Sequence, residues 1–294
     1  MTKAARVRVP TAWEWLQAGK TGSALDPAAE AAFFSAIRLS NGTFKTTCHR
    51  RLDDFNQIIS AALRRTSAAR NGPLQLLDVG ISSGTTSLEW ARALESQGLD
   101  FRLVATDLTA TASLHRYGKW FHALVDDHGT PLQYHIFGKT IRGWFYPGDV
   151  LRLKFVPIRL AQLSHLLLQK AGLGAIDEVP LVVSGVLMNP AIEVCSDDIF
   201  CDDPTYHGRF HVIRAANILN RVYFSEDKLA VGVTNLSRRL REGGILAVCR
   251  TMSDGSNHGS LLQLTRGRLA KIEQFGNGSD VDYMCEPQLT RGAA

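Results

Sequence analysis

No stretch of this chain approaches the ~20 uninterrupted apolar residues of a membrane span. It holds no internal repeat and no low-complexity tract, so solenoid, fibrous and tail-like architectures are set aside. Cysteine is scarce: Cys48, Cys195, Cys201, Cys249 and Cys285 make an odd five with no CxxC pair. That usage argues against a disulfide framework and for reduced thiols in a cytoplasmic protein. Lys3, Arg6 and Arg8 precede no apolar segment of the secretory kind, so no such signal is expected. Charge of one sign is sparse as well. Lys and Arg exceed Asp and Glu by 33 to 28, and this net +5 is spread along the chain with no clustered basic patch, which makes nucleic acid possible as a partner without arguing for it.

What is present suits an α/β protein with a large core, since 45% of the 294 residues are hydrophobic. Leu74, Leu76, Leu77 and Val79 make the short apolar run of a strand covered on both faces. Gly80 and Gly84 allow a sharp turn and the close approach of a ligand to the backbone. Ser82, Ser83, Thr85 and Thr86 bring hydroxyls and amides to the start of a helix over 86–97. Phe101 to Thr106 is the next strand, ended by Asp107. Strand, glycine turn, helix and acid-ended strand form a βαβ unit whose ligand crevice lies at the carboxyl ends of the strands.

Residues 1–72 read as an N-terminal helical cap. Trp13, Trp15 and Leu16 open an amphipathic piece, and Asp26-Pro27 provides an N-cap and first-turn proline for Ala28 to Leu39. A further helix runs from about Arg50 to Ala69, with Leu52, Phe55, Ile58, Ile59 and Ala62 on one face, and stops at Asn71-Gly72-Pro73. After Asp107 the regular alternation lapses for more than eighty residues. Residues 117–190 therefore read as an insertion. Its aromatic-rich part, Tyr117 to Tyr146, suggests one or two hairpins. Leu160 to Ala171 suggests a helix whose leucines, Leu160, Leu163, Leu166, Leu167 and Leu168, form the insertion's core. Pro180 to Met188 is an apolar run of open type. Such a subdomain suits a lid over a small molecule.

The alternation resumes with the strands Ile192–Cys195 and Phe210–Ala216. A helix from Glu226 to Arg241 follows, capped by Ser225, then the strand Ile245–Cys249 behind Gly243-Gly244. Leu261–Thr265 and Leu269–Phe275 close the chain as an antiparallel hairpin. The core thus comprises 73–116 and 191–294. Cys195, Cys201, His207 and His211 are spaced C-x5-C-x5-H-x3-H, wider than zinc sites use, and no metal is expected.

The order of glycine turn, acid-ended strand, Asp-Asp strand, Gly-Gly strand and final hairpin resembles the class I S-adenosylmethionine (SAM) methyltransferases. Three segments resemble in particular the catalytic domain of the chemotaxis-receptor glutamate methyltransferases. They are Ala105-Thr106-Asp107-Leu108 with Tyr117-Gly118, Phe210 to Leu219 (FHVIRAANIL), and Leu240 to Leu246 (LREGGIL), and the likeness spans roughly 74–118 and 190–276. The resemblance implies a Rossmann-like, seven-stranded, mostly parallel sheet and SAM as cofactor. It implies that Gly80, Ser82, Ser83, Gly84 and Thr85 pass the amino-acid part of SAM, with Asp78 organising the turn or the ligand's ammonium. By the same likeness Asp107, beside Leu108, would accept from both ribose hydroxyls, and Asp198 would take the adenine amine with Ile199 on the ring. Ala216 and Asn217 would lie where the methionine end meets the acceptor. The family's turn carries a middle glycine where this chain has Ser82 and Ser83, and the insertion has no counterpart in the receptor methyltransferases.

The implied reaction is methyl transfer, to a small molecule first, a protein carboxylate second and nucleic acid last. A base is needed only where the nucleophile carries a proton, and His115, Tyr117 and Asn217 are the side chains available for it. Two rivals use the same elements. One is a nicotinamide-dependent oxidoreductase, against which the incomplete G-x-G-x-x-G and the closing hairpin count; the other is a non-catalytic SAM-binding module.

Overall fold

The computed structural model describes residues 8–285 except 24, 41, 66–71, 150–152 and 154. Lys3, Arg6, Ala69 and Asn71 lie outside the described residues. In chain order the elements are α1 (Ala12–Thr21), α2 (Pro27–Ala36), α3 (Asp53–Arg65), β1 (Leu74–Val79), α4 (Thr85–Ser96) and β2 (Phe101–Asp107). Next come β3 (Thr111–Tyr117), β4 (Phe121–Val125), β5 (Pro131–Ile136), β6 (Lys139–Arg142), α5 (Phe155–Lys170), β7 (Ala175–Pro180) and α6 (Ser184–Leu187). The chain closes with β8 (Ile192–Ser196), β9 (Phe210–Ala216), α7 (Glu226–Arg239), β10 (Leu240–Thr251), β11 (Asn257–Thr265) and β12 (Arg268–Phe275). It divides into two compact units, one over Met1–Thr47 and Thr109–Met188, the other over Cys48–Leu108 and Asn189–Ala294. They are called here the antiparallel and the parallel unit, after their sheets.

The parallel unit holds a seven-stranded sheet in the order β12-β11-β10-β9-β1-β2-β8. β1 pairs parallel with β2 and β9, β2 with β8, and β9 with β10, while β10–β11 and β11–β12 are antiparallel. This is the expected Rossmann-like arrangement with a terminal antiparallel hairpin. The alternation along the strands supplies two cores. Leu74, Leu76, Leu103, Val212 and Ile245 point to one face, where Phe55, Ile59 and Leu63 of α3 and Trp90 and Leu94 of α4 cover them. Leu77, Val79, Val104, Ile213 and Leu246 point to the other, against Leu229, Val233 and Leu236 of α7. Each fully buried leucine of this kind contributes roughly 1.5–3 kcal/mol.

The antiparallel unit holds five strands in the order β6-β5-β4-β3-β7. Where one or two hairpins were expected over Tyr117 to Tyr146, β3, β4, β5 and β6 form a four-stranded meander with three successive antiparallel pairings. Edge strand β7, sequence AIDEVP, was not foreseen because Asp177-Glu178 breaks its apolar pattern. Asp177 is instead held by Arg116 of β3 at 2.6 Å. Residues 1–72, expected as one helical cap, divide between the units. Trp15 of α1 stacks on Phe33 of α2 at 5.2 Å, and its indole N–H donates to the Pro180 carbonyl at 2.8 Å. The Ala12 amide donates to Gln133 Oε1 of β5 at 2.8 Å.

Helix α5 corrects the reading of its leucines as core. Ile158, Ala161 and His165 are its buried residues, and Leu160, Leu163, Leu166 and Leu167 are exposed. The helix is apolar nearly all round, so spacing alone could not choose which face the sheet would take. Among the described residues no helix is long and apolar enough to cross a membrane.

Candidate functional site

Register brings four strand ends of the parallel unit side by side. Val79 of β1 lies opposite Thr106 of β2 and Ala215 of β9, and Asp107 lies opposite Ser196 of β8. Successive strands run outward from β1 in both directions, which makes its carboxyl end the topological switch point where open α/β sheets bind ligands. The segments leaving these ends contain Gly80, Ser82, Ser83, Gly84, Thr85, Leu108, Asp198, Ile199 and Asn217. The tertiary structure thus brings the segments that carry these residues to one edge of the sheet.

The turn after β1 alternates through the left-handed region, with φ of 70° at Gly80, 56° at Ser82 and 76° at Gly84. Ser82, at the place where the resemblance leads one to expect a middle glycine, therefore takes a left-handed conformation that favours glycine. A Cβ on Gly80 would stand 2.6 Å from Ile218 Cδ1, so a side chain there would have to displace that methyl as well as adopt φ of 70°. The Gly80 and Ile81 amides donate to the Thr106 carbonyl at 2.8 and 3.1 Å. The Ser82 amide donates to Asp107 Oδ2 at 2.7 Å, so the acid ending β2 braces the turn it neighbours. Gly84 N-caps α4 without a side-chain cap, and Leu88 N to Gly84 O is the first turn's hydrogen bond. The amides of that first turn head toward the strand-end edge. Ser83 Oγ and Thr85 Oγ1 meet at 3.0 Å and are buried.

Beneath the turn lies a buried ion pair. Arg214 of β9 donates through Nε to Asp78 Oδ1 at 2.9 Å and through Nη2 to Oδ2 at 2.5 Å. Ser87 Oγ donates to the same Oδ2 at 2.6 Å, and Arg214 Nη1 donates to Asn56 Oδ1 of α3 at 2.7 Å. The guanidinium carbon lies 4.6 Å from the centre of the Trp90 ring. Both Asp78 oxygens are thus engaged within the protein, tying β1 to β9 and to the first turn of α4. Arg214, Ser87 and Asn56 were not singled out from sequence. A lone arginine inside the apolar run FHVIRAA was the available signal, because a charge buried in a strand requires a counter-ion nearby.

The loop after β8 is ordered the same way. Arg239 of α7 donates through Nη1 and Nη2 to Asp197 at 2.6 and 3.1 Å, and through Nη2 to the Cys201 carbonyl at 3.2 Å. Asp202 pairs with His207 and Arg238, and Asp203 caps Thr205. Asp198 accepts the Phe200 amide at 2.9 Å and, among the described residues, pairs with no cation. Ile199 is buried in the core against α7, while Leu108 is half exposed. Ala216 ends β9, and Asn217 follows in the left-handed region at φ 61°. Its side-chain oxygen accepts the Thr251 amide at 2.7 Å, and its Nδ2 donates to Thr251 Oγ1 at 3.1 Å. Asn217 thereby clamps the ends of β9 and β10 together. Cys195, Cys201, His207 and His211 go to separate partners, namely Tyr206, Asp198, Asp202 and the Gln75 amide.

His115 and Tyr117 belong to the antiparallel unit. The Tyr117 hydroxyl meets His165 Nδ1 at 2.9 Å, and His115 packs edge-on to His165 at 5.1 Å. Burial pushes both imidazoles below their ordinary pKa and the phenol above its own, so all three favour neutral forms.

No family model matches the chain, and no curated protein matches it. Solved structures similar to it include the CurJ carbon methyltransferase (14% identity, 81% of this chain and 45% of that one, TM-score 0.36). Two more are the 1,6-didemethyltoxoflavin-N1-methyltransferase of Burkholderia thailandensis (13%, 76% and 61%, 0.34) and CalS10, an amino pentose methyltransferase of Micromonospora echinaspora (13%, 76% and 64%, 0.32). The chain spans less than two thirds of the length of each. These three are methyltransferases by name, and the latter two were solved with S-adenosylhomocysteine and SAM respectively. None of the three is a chemotaxis-receptor enzyme. Likeness at these identities and scores carries nothing about this chain's own chemistry.

Proposed function

We propose that the parallel unit binds SAM at the carboxyl ends of β1, β2, β8 and β9, and that the chain is a class I SAM-dependent methyltransferase. The observation that carries this reading is the left-handed turn Gly80–Gly84, braced by Asp107 at the switch point of the sheet. The donor set suits the cofactor's parts. Amides of the first turn of α4 suit the carboxylate of its methionine end. Asp107, at the end of β2, suits vicinal ribose hydroxyls, and Asp198, which pairs with no cation among the described residues, suits the exocyclic adenine amine. Asp78 and Asn217 are positioning residues in this reading, since their side chains are already committed to Arg214 and Thr251.

SAM supplies a methyl group made electrophilic by its sulfonium. The residues' part is to orient the reacting groups in line and to exclude water. The acceptor belongs, on this reading, to the small-molecule class, in keeping with the aromatic-rich stretch Tyr117–Tyr146.

Calorimetric titration with SAM, S-adenosylhomocysteine and NAD tests the reading. The first two are expected to bind and NAD is not. Asp107→Asn retains an acceptor for the Ser82 amide and should weaken SAM binding about ten- to a hundredfold. Unchanged SAM affinity in that variant, or tighter binding of NAD than of SAM, overturns the assignment.

A further inference from the structure

The antiparallel unit presents an apolar face that its own packing leaves uncovered. On α5, Val156, Leu160, Leu163, Leu166 and Leu167 are each 40–60% exposed, opposite the buried residues Ile158, Ala161 and His165. No acidic residue occurs in Phe155–Lys170. Arg159 and Lys170 lie one turn from Leu163 and Leu166, on the same face. The helix leads into β7 beside the end of β3, where a Cβ on Gly174 would stand 2.8 Å from the Arg116 carbonyl oxygen. Leu173 and Ile176 are also exposed at that end of the sheet.

The β3–β4 and β5–β6 turns lie at the same end. The Phe137 amide donates to the Trp120 carbonyl at 2.9 Å, and their rings lie 5.7 Å apart. Both rings are exposed, Trp120 by 55% and Phe137 by 72%. Lys119 holds its ammonium 5.2 Å from the Trp120 ring, and Lys139 is exposed two residues beyond Phe137. Exposed Trp, Phe and Leu interleaved with Lys and Arg is the composition of a surface that enters a lipid headgroup layer. The sign of the charge selects among occupants. A second copy meeting this face would bring the same cations together, whereas anionic headgroups would neutralise them.

We propose that the leucine face of α5 and the Trp120–Phe137 tip dock the antiparallel unit on an anionic lipid surface, lying in the headgroup layer without crossing it. Flotation of the full chain with phosphatidylserine-containing and pure phosphatidylcholine vesicles tests this. The chain should float with the first at low ionic strength and far less with the second. Leu163→Gln/Leu167→Gln should cut the floated fraction about tenfold, and Lys119→Gln/Lys139→Gln by a smaller factor while flattening its salt dependence. Both variants replace exposed side chains, so unchanged melting verifies that each is folded. A blue shift of the Trp emission on vesicles should disappear in Trp120→Phe. Absence of flotation at low salt, or equal flotation with both vesicles, overturns the proposal. So does a wild-type dimer that Leu163→Gln/Leu167→Gln converts to monomer without any vesicle binding.

Discussion

The parallel unit buries two arginine–aspartate pairs with both partners inside, whereas the antiparallel unit buries a group of imidazole and phenol rings. Arg214 with Asp78 and Arg239 with Asp197 are pairs in which each guanidinium is fully buried. In the antiparallel unit the Arg116–Asp177 and Arg142–Asp149 pairs keep their cations partly exposed, and the rings of His115, His122, His165 and Tyr134 are buried alongside Lys45, Asp126 and Asp149. A buried ion pair is weak evidence of net stability, because desolvation offsets most of the attraction. Both buried pairs lie under the loops that form the proposed cofactor site, 80–84 and 197–201. Their position suggests that they hold those loops in one geometry. Neutral rings instead make the antiparallel unit responsive to acid.

The largest expected effect comes from breaking one pair. Arg214→Met leaves Asp78 charged and buried without its partner, and denaturant unfolding should show a loss of about 3–5 kcal/mol. Asp78→Leu/Arg214→Met removes both charges and should recover much of that loss while SAM binding stays impaired. A loss below about 1 kcal/mol in the single variant would mean that the pair does not close the end of β1.

Acid should separate the two units next. Burial is the first cause of the lowered pKa of His115, His122, His135 and His165, and of His211 alone in the parallel unit. Unfolded imidazoles protonate near 6.5, and these folded ones only at lower pH. The unfolded chain therefore binds more protons, and stability falls as pH drops through about 6.5 and levels off below the folded values. Peptide-resolved hydrogen exchange, corrected for its intrinsic pH dependence, should show residues 109–136 losing protection before 74–107. Simultaneous loss would break the contrast between the units.

The smallest effect concerns a single hydroxyl. Tyr134 is fully buried, its hydroxyl has no hydrogen-bond partner among the described residues, and burial pushes its pKa far up. Tyr134→Phe should stabilise the protein by about 1 kcal/mol, read from the denaturation midpoint. A comparable loss would show that the hydroxyl does have a partner.

The βαβ core was legible because its signals are local. Leu74 to Val79 is apolar enough to be buried on both faces, and Asp107 ends the next strand wherever that strand pairs. The Ser82-Ser83 departure was legible as well, although only the backbone shows that Ser82 accepts the left-handed conformation. The charge network beneath the turn was not legible. Asp78 and Arg214 are far apart in the chain, and only the register of β1 with β9 places them opposite one another.

By itself the sequence determined the alternation of strands and helices, the sharp turn after β1 and the carboxylate after β2, since each follows from side-chain period and backbone sterics over a few residues. Tertiary structure alone decided that α1 and α2 fold with the five-stranded sheet, that α5 turns Ala161 and His165 inward, and that Asp78 serves Arg214. Those outcomes depend on which surfaces compete to cover one another across long stretches of chain. A helix that is apolar on every side, or a charge that needs a partner, carries no local mark of which one it will find.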